Sequence, residues 1–202
     1  LNSRFLGSVL LASVIGAFAV HFLAEKNPAL EIFAVGAPDW TIYLLTPLVA
    51  TTASLVGVMF QRFSLSLRAS CKRWNKVPGW LTPALGSLIA WAIGAWVFLY
   101  TRNTTGQGHL GVFGVGYEDL NAALTGPFDW RIAVLLLVGK LIATICCYGM
   151  GGGGGIFSPT LFLGGMTGVV LTGVFGLFVD LSTEAQITLA VVGMSACLGA
   201  VV

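Results

Sequence analysis

Residues suited to chemistry surround a glycine-rich run at residues 149–155, inside a long apolar stretch of the chain. The run is followed by Ile156, Phe157, Ser158 and Pro159, and an uninterrupted apolar helical pattern continues beyond them. Proline is tolerated only in the first turn of a helix, where its missing N–H group is not needed. Pro159 therefore predicts a helix that begins near Phe157 or Ser158.

The beginning of this helix has donors that suit an anion. The amides of Gly155, Ile156 and Phe157 lack intrahelical acceptors, and they lie at the positive end of the helix dipole, equivalent to about half an elementary charge. Glycine lets an ion approach the backbone closely, and Ser158 could cap the helix or donate to the same ion. No carboxylate is near in sequence, so we expect a small, unreactive anion. The alternative is a flexible glycine kink that only packs against a neighbouring helix.

A single charge, Lys140, lies in the apolar stretch at residues 132–179, nine residues before the glycine-rich run. A cation at the centre of a bilayer costs about 2.5–3.5 kcal/mol, so Lys140 should face protein or water rather than lipid. One interpretation is that it makes the electrostatic potential of a pore positive. The other is that it pairs with a carboxylate elsewhere in the protein or extends to one membrane interface. The sequence leaves both interpretations open.

Other kinds of chemistry find no support in the sequence. The glycine-rich run fits a dinucleotide-binding fingerprint only trivially, because the acidic residue expected about 20 positions later is missing. A phosphate-binding loop would need Lys where Ile156 stands. The four cysteines have no zinc-ligand spacing, and we interpret them as small buried hydrophobic residues. We therefore expect no catalytic residues, no metal and no cofactor, and a protein that is not an enzyme.

The composition places these residues in a membrane protein. Of 202 residues only 9% are charged and 56% are hydrophobic, and there are 27 glycines. A soluble domain has roughly 25% charged residues, so this chain has too few charges to cover a soluble surface. The composition excludes disorder, a nucleic-acid-binding module and an ordinary soluble enzyme. The net charge of +2 is too small to indicate a polyanionic partner.

The elements that must position the candidate site are membrane-spanning helices, each of which needs roughly 20 apolar residues. The sequence predicts such helices on both sides of the glycine-rich run and at residues 5–24, 41–60, 77–101 and 185–202. A short helix at the membrane interface is predicted at residues 118–124. Transporters use helices broken at membrane depth to build ion sites. We therefore predict an all-α polytopic membrane protein with tilted and broken helices.

Four short motifs occur in a fixed order along the chain. Residues 114–117 read Gly-Val-Gly-Tyr. Residues 140–144 read Lys-Leu-Ile-Ala-Thr and precede the glycine-rich run. Residues 155–159 then match Gly-x-Phe-x-Pro in full, and residues 192–196 read Val-Gly-Met-Ser-Ala. In the order and spacing of these motifs, nearly the whole chain resembles the CLC family of chloride channels and chloride/proton antiporters.

The resemblance implies chloride transport across the membrane, as a channel or as a chloride/proton antiporter, with the amides of Ile156 and Phe157 at the central chloride site. It also implies a homodimer in the inner or plasma membrane of the cell, with one pore per subunit and residues 5–24 at the dimer interface. The rival function, from a different class, is a structural or scaffold membrane subunit whose glycine break serves packing alone.

The same resemblance implies that residues 1–202 form one transmembrane region, similar to the second of two inverted halves of a larger membrane domain and without the end of that half. We expect the gating glutamate and the pore tyrosine of the family to lie outside the chain, and Tyr148 is not assigned that tyrosine's role. Glycines at residues 151–153 stand where family members often have serine or other small residues. This difference could loosen the turn, but it leaves the amide donors in place.

The segment at residues 61–76 contains five cations and no acid, which predicts a cytoplasmic loop. We expect a cysteine introduced at Asn75 to react only with maleimides that cross the membrane, because clustered cations resist translocation. The unmodified protein controls for the native cysteines. Labelling of the new cysteine by an impermeant external reagent in intact cells would contradict this orientation.

Overall fold

The computed structural model describes residues 40–73, 78–179 and 181–202, residue 30, and seven positions between residues 11 and 19. Within these residues the protein contains helices and no strand. Six helices have defined bounds: α1 Trp40–Cys71, α2 Thr82–Thr105, α3 Tyr117–Thr125, α4 Trp130–Gly149, α5 Phe157–Phe175 and α6 Thr183–Val201. The first predicted span, residues 5–24, lies largely outside the described residues.

Five of these helices, all except α3, are long and apolar enough to cross a membrane. The helices α4, α5 and α6 have 20, 19 and 19 residues. At 1.5 Å per residue such helices are roughly 30 Å long, which matches the hydrocarbon core of a bilayer. The prediction of an all-α, multi-pass integral membrane protein is confirmed.

Helix α1 is longer than the sequence predicts. Its 32 residues continue to Cys71, so the segment interpreted as a loop at residues 61–76 is helical as far as that residue, and the loop prediction is wrong there. Residues 61–71 contain neither proline nor glycine, so nothing in the sequence stops the helix at the last apolar residue of the span. Arg62 and Arg68 are exposed on this helical extension. The cytoplasmic orientation of the extension stays a prediction.

Helix α2 lies four to five residues later than the span predicted at residues 77–101. Pro83 lies in its first turn, where a missing N–H group costs nothing, and Gly106 ends it with a left-handed φ of 75°. The short helix predicted at residues 118–124 is present as α3. Two polar loops thus flank α3 and carry the chain from α2 to α4.

Helix α5 is the most buried of the membrane-spanning helices. In its most apolar 18-residue window 67% of the residues are buried, compared with 22% in α1 and in α2. Helices α1, α4 and α6 all pack against it. A helix that is apolar on every side is expected to be surrounded by protein or lipid, and here neighbouring helices surround it. The body of α5 is thus central, whereas its beginning, the candidate site, is accessible, with Ile156 49% and Phe157 56% exposed.

Glycines allow α5 and α6 to pack with their backbones in contact. A methyl group added at Gly164 would collide with the carbonyl oxygen of Gly193, and one added at Gly193 would collide with the carbonyl oxygen of Gly164. Small residues commonly let helix backbones approach closely in membrane bundles. The position of α5 relative to α6 therefore depends on the lack of side chains at these two positions.

This packing predicts opposite effects for two Gly→Ala substitutions on α6. Gly193→Ala should lower the stability of the protein by about 1–3 kcal/mol, because the added methyl group meets fixed backbone rather than a movable side chain. Gly199→Ala adds a methyl group with nothing within 4 Å and should be neutral or stabilising. Thermal unfolding of the two variants in detergent tests this difference. Equal melting temperatures would show that the close approach does not constrain the bundle.

Candidate anion site

The glycine-rich run connects the end of α4 to the beginning of α5 without regular structure in its second half. Its first half folds back onto α4, where Gly151 N–H donates to Tyr148 O at 3.1 Å and Gly152 N–H donates to Cys147 O at 2.8 Å. Gly151 has a left-handed φ of 95°, which a residue with a side chain rarely adopts. Residues 153–155 then lead to α5 as irregular backbone. The chain thus leaves helical geometry between two helices of membrane-spanning length.

Helix α5 begins at Phe157, as Pro159 predicts. Ile156 is its N-terminal flanking residue, and Thr160 N–H donates to Ile156 O at 3.2 Å. Among the described residues no acceptor forms a hydrogen bond with the amides of Ile156 and Phe157. The start of an apolar helix therefore has two backbone donors that no described residue binds, at the positive end of its dipole.

Ser158 does not cap α5, so the predicted capping role is wrong. It lies within the first turn, and its hydroxyl donates to Val115 O at 2.9 Å. A hydroxyl has one proton to donate, so this bond leaves none for an ion. The bond instead joins the start of α5 to the loop at residues 106–116, which the sequence treats separately. The backbone amide of Ser158 remains a candidate donor to an anion.

Lys140 lies in α4 and is only 3% exposed. Its Nζ donates to three backbone carbonyls of one loop: Gly111 O at 2.9 Å, Val112 O at 3.3 Å and Gly114 O at 2.7 Å. Among the described residues no carboxylate forms an ion pair with it. Within the part of the chain that the structure describes, backbone carbonyls are therefore the partners of this lysine. Its influence on the potential of a pore stays a prediction.

A buried acid, Asp119 of α3, supports the same loop from its other side. Its carboxylate accepts from Gly111 N–H at 2.5 Å and from His109 Nδ1 at 2.6 Å, and the residue is 7% exposed. Lys140 binds the carbonyl of Gly111, and Asp119 binds the amide of Gly111. The peptide groups of Gly111 thus lie between a cation and an anion. The negative charge of Asp119 partly offsets the positive charge of Lys140. Sequence reasoning missed Asp119 and His109, and the acidic first turn of α3 was the available signal.

A cavity of about 580 Å³ brings most of the predicted site residues together. Gly155, Phe157, Ser158 and Lys140 all line it, and no acidic residue does so among the described residues. Ile156 does not line it, but Ile156 shares a peptide group with Gly155, which does. The cavity therefore combines a cationic side chain with the backbone at the start of α5. This combination attracts an anion and offers a cation little to bind.

The contacts of Lys140 predict that it stabilises the fold. Lys140→Met would leave three carbonyl acceptors without their donor, and we expect it to lower stability by roughly 1–3 kcal/mol. Arg131→Met is the matched control, since Arg131 belongs to the same helix and is exposed. Thermal unfolding in detergent compares the two. Equal stability of both variants would contradict the structural role of Lys140.

Comparisons with known proteins identify the family of the chain. A family model described as "Voltage gated chloride channel" matches residues 1–202. A voltage-gated ClC-type chloride channel, ClcB of Salmonella typhimurium, is 28% identical over 199 residues, which are 96% of this chain and 44% of that protein. The ClcB of Escherichia coli is 27% identical over 203 residues, with the same coverage of 96% and 44%.

A ClcB-like protein of Ralstonia nicotianae is 40% identical over 90 residues, which are 44% of this chain and 21% of that protein. The chain thus spans less than half the length of these curated relatives. No solved structure matches it significantly. The family is described as one of ion channels rather than enzymes, in agreement with the sequence prediction. Because the family model covers the whole chain, the protein belongs to the voltage-gated chloride channel family.

Proposed function

We propose that the protein transports chloride across a membrane and binds it at the start of α5. The observation that carries this proposal is the pair of unpartnered amides, those of Ile156 and Phe157, at the beginning of an apolar helix. In a bilayer an unsatisfied backbone group costs several kcal/mol, and irregular backbone is tolerated only in a protein environment or a water-filled cavity. A bound anion would satisfy both donors.

The surroundings of these amides support an anion rather than a cation. Lys140 gives the cavity a positive side chain, and the described lining contains no carboxylate. The amide of Gly155 and that of Ser158 are further candidate donors. The relatives from Salmonella and Escherichia are named chloride channels, which supports chloride as the anion. The cavity and its amide donors can bind chloride without a metal or cofactor.

The rival function, a scaffold subunit, explains only part of the glycine-rich run. A methyl group at Gly149 would come within 2.6 Å of Leu67 of α1, as expected for a packing glycine. Methyl groups at Gly153 and Gly155 would meet nothing within 4 Å. Close helix packing therefore gives no reason for glycine at these two positions, whereas an approaching ion does.

The proposal includes the finer features that the family resemblance implies. The chain would form one of two inverted halves of a transport domain, within a homodimer that has one pore per subunit in the inner or plasma membrane. Transport would be either passive conduction or exchange for protons. A pH gradient imposed across liposomes separates these modes, since it drives chloride uphill only when the two fluxes are coupled.

Removal of one amide donor should reduce chloride binding without disturbing the fold. The φ of Ile156 is −80°, within the range of proline, and its amide has no described protein partner, so Ile156→Pro deletes a donor at little structural cost. A hydrogen bond to a charged group contributes roughly 1.5–3 kcal/mol, which predicts a tenfold to hundredfold weaker chloride affinity. Ile156→Leu keeps the donor and should behave as the unmodified protein.

Chloride efflux from liposomes that hold the full-length protein, with titration calorimetry of the same samples, measures these effects. Absence of chloride flux from the unmodified protein would favour the scaffold function. Unchanged chloride affinity in a folded Ile156→Pro variant would show that the Ile156 amide does not bind the anion.

A further inference from the structure

Tyr148, in the last turn of α4, reaches across the glycine-rich run with its side chain. Its hydroxyl donates to the carbonyl oxygen of Gly155 at 2.6 Å. We propose that Tyr148 is a positioning residue of the anion site, which fixes the direction of the Ile156 amide. This inference rests on the proposed function, because it concerns how that same site is kept in a binding conformation.

The planarity of the peptide bond connects the tyrosine to the amide. The carbonyl of Gly155 and the N–H group of Ile156 belong to one peptide unit, which is planar and trans, so they point in opposite directions. A hydroxyl that holds the carbonyl therefore also sets where the N–H group points. Rotation of this peptide unit, which would turn the donor away from an anion, would break the bond to Tyr148.

The glycine-rich run needs such a constraint, because glycine restricts its own backbone least of all residues. The backbone carbonyl of Tyr148 accepts from Gly151 N–H at 3.1 Å and so holds the first half of the run. Among the described residues no backbone hydrogen bond of this kind holds the amides of Gly153 and Gly154. The bond from the hydroxyl to Gly155 holds the far end. One residue thus fixes the run at both ends.

The ring of Tyr148 is itself held in place. It packs edge-on against Phe60 of α1, with ring centroids 6.1 Å apart and an interplanar angle of 80°. Phe60 is only 3% exposed and belongs to a cluster of buried residues, so it is a fixed support. A methyl group added at Gly154 would come within 2.9 Å of the Tyr148 hydroxyl. Glycine at residue 154 therefore leaves room for the hydroxyl to reach Gly155.

The proposal predicts that loss of the hydroxyl weakens anion binding more than it weakens the fold. If the binding orientation of the peptide is populated only a third to a tenth of the time without the hydroxyl, the apparent affinity falls about threefold to tenfold. Tyr148→Phe in the full-length protein removes the hydroxyl and keeps the ring against Phe60. Tyr100→Phe is the matched control, since Tyr100 is an exposed tyrosine of α2 far along the chain from the run.

A second pair of variants tests the same point without altering the tyrosine. Gly154→Ala should displace the hydroxyl from Gly155 and lower chloride affinity to a similar extent. Gly199→Ala on α6 also adds a methyl group, with nothing within 4 Å and outside the glycine-rich run, so it should bind chloride as the unmodified protein does. This pair remains informative if Tyr148→Phe fails to fold.

Titration calorimetry with chloride, and the melting temperature with and without chloride, give the two readouts. We expect Tyr148→Phe and Gly154→Ala to lose affinity and part of the chloride-dependent rise in melting temperature, with little change in the chloride-free value. Unchanged affinity in both variants, or lower chloride-free stability at unchanged affinity, would overturn the positioning role. Failure of the unmodified protein to bind chloride would instead overturn the proposed function.

Discussion

A backbone that leaves helical geometry away from water must find partners for its N–H and C=O groups, and this requirement bears on the region between α4 and α5. Side chains bind several backbone carbonyls in and around this region. Lys140 binds three carbonyls of the loop at residues 106–116, Ser158 binds Val115 O, and Tyr148 binds Gly155 O. The donors of Ile156 and Phe157 are left without a described protein partner. Side chains thus occupy five carbonyl groups that could attract a cation, while two amides that could attract an anion have no partner among the described residues.

This asymmetry depends on how the helices around the site pack. Helix α5 occupies the centre, and contact between backbones at Gly164 and Gly193 fixes it against α6. Lys140 of α4 and Asp119 of α3 bind the carbonyl and the amide of Gly111 in the loop, so the loop can support Ser158. Glycine is required within this loop as well. Gly116 has a φ of 80°, and a methyl group there would come within 2.7 Å of Gly111 O.

Local signals in the sequence were enough to predict the helix class, the break at residues 149–155 and the start of α5, because Pro159 and the glycines act on their own neighbours. Contacts between residues distant in the sequence could not be predicted. The bonds of Lys140 and Ser158 to the loop join residues 26 to 43 positions apart, so the capping role of Ser158 was wrong and the carbonyl partners of Lys140 were not foreseen. The extension of α1 to Cys71 was missed because the apolar pattern stops before the helix does.

The central claim, that the start of α5 binds an anion, is tested most directly by anomalous diffraction from crystals of the full-length protein soaked in bromide. Bromide has the same charge as chloride, and its anomalous signal locates it independently of the protein coordinates. We predict a peak beside the amide nitrogens of Ile156 and Phe157, at a distance somewhat longer than the roughly 2.9 Å of an N–H···O bond. A well-ordered map with bromide peaks elsewhere along the pore and none at these amides would contradict the claim.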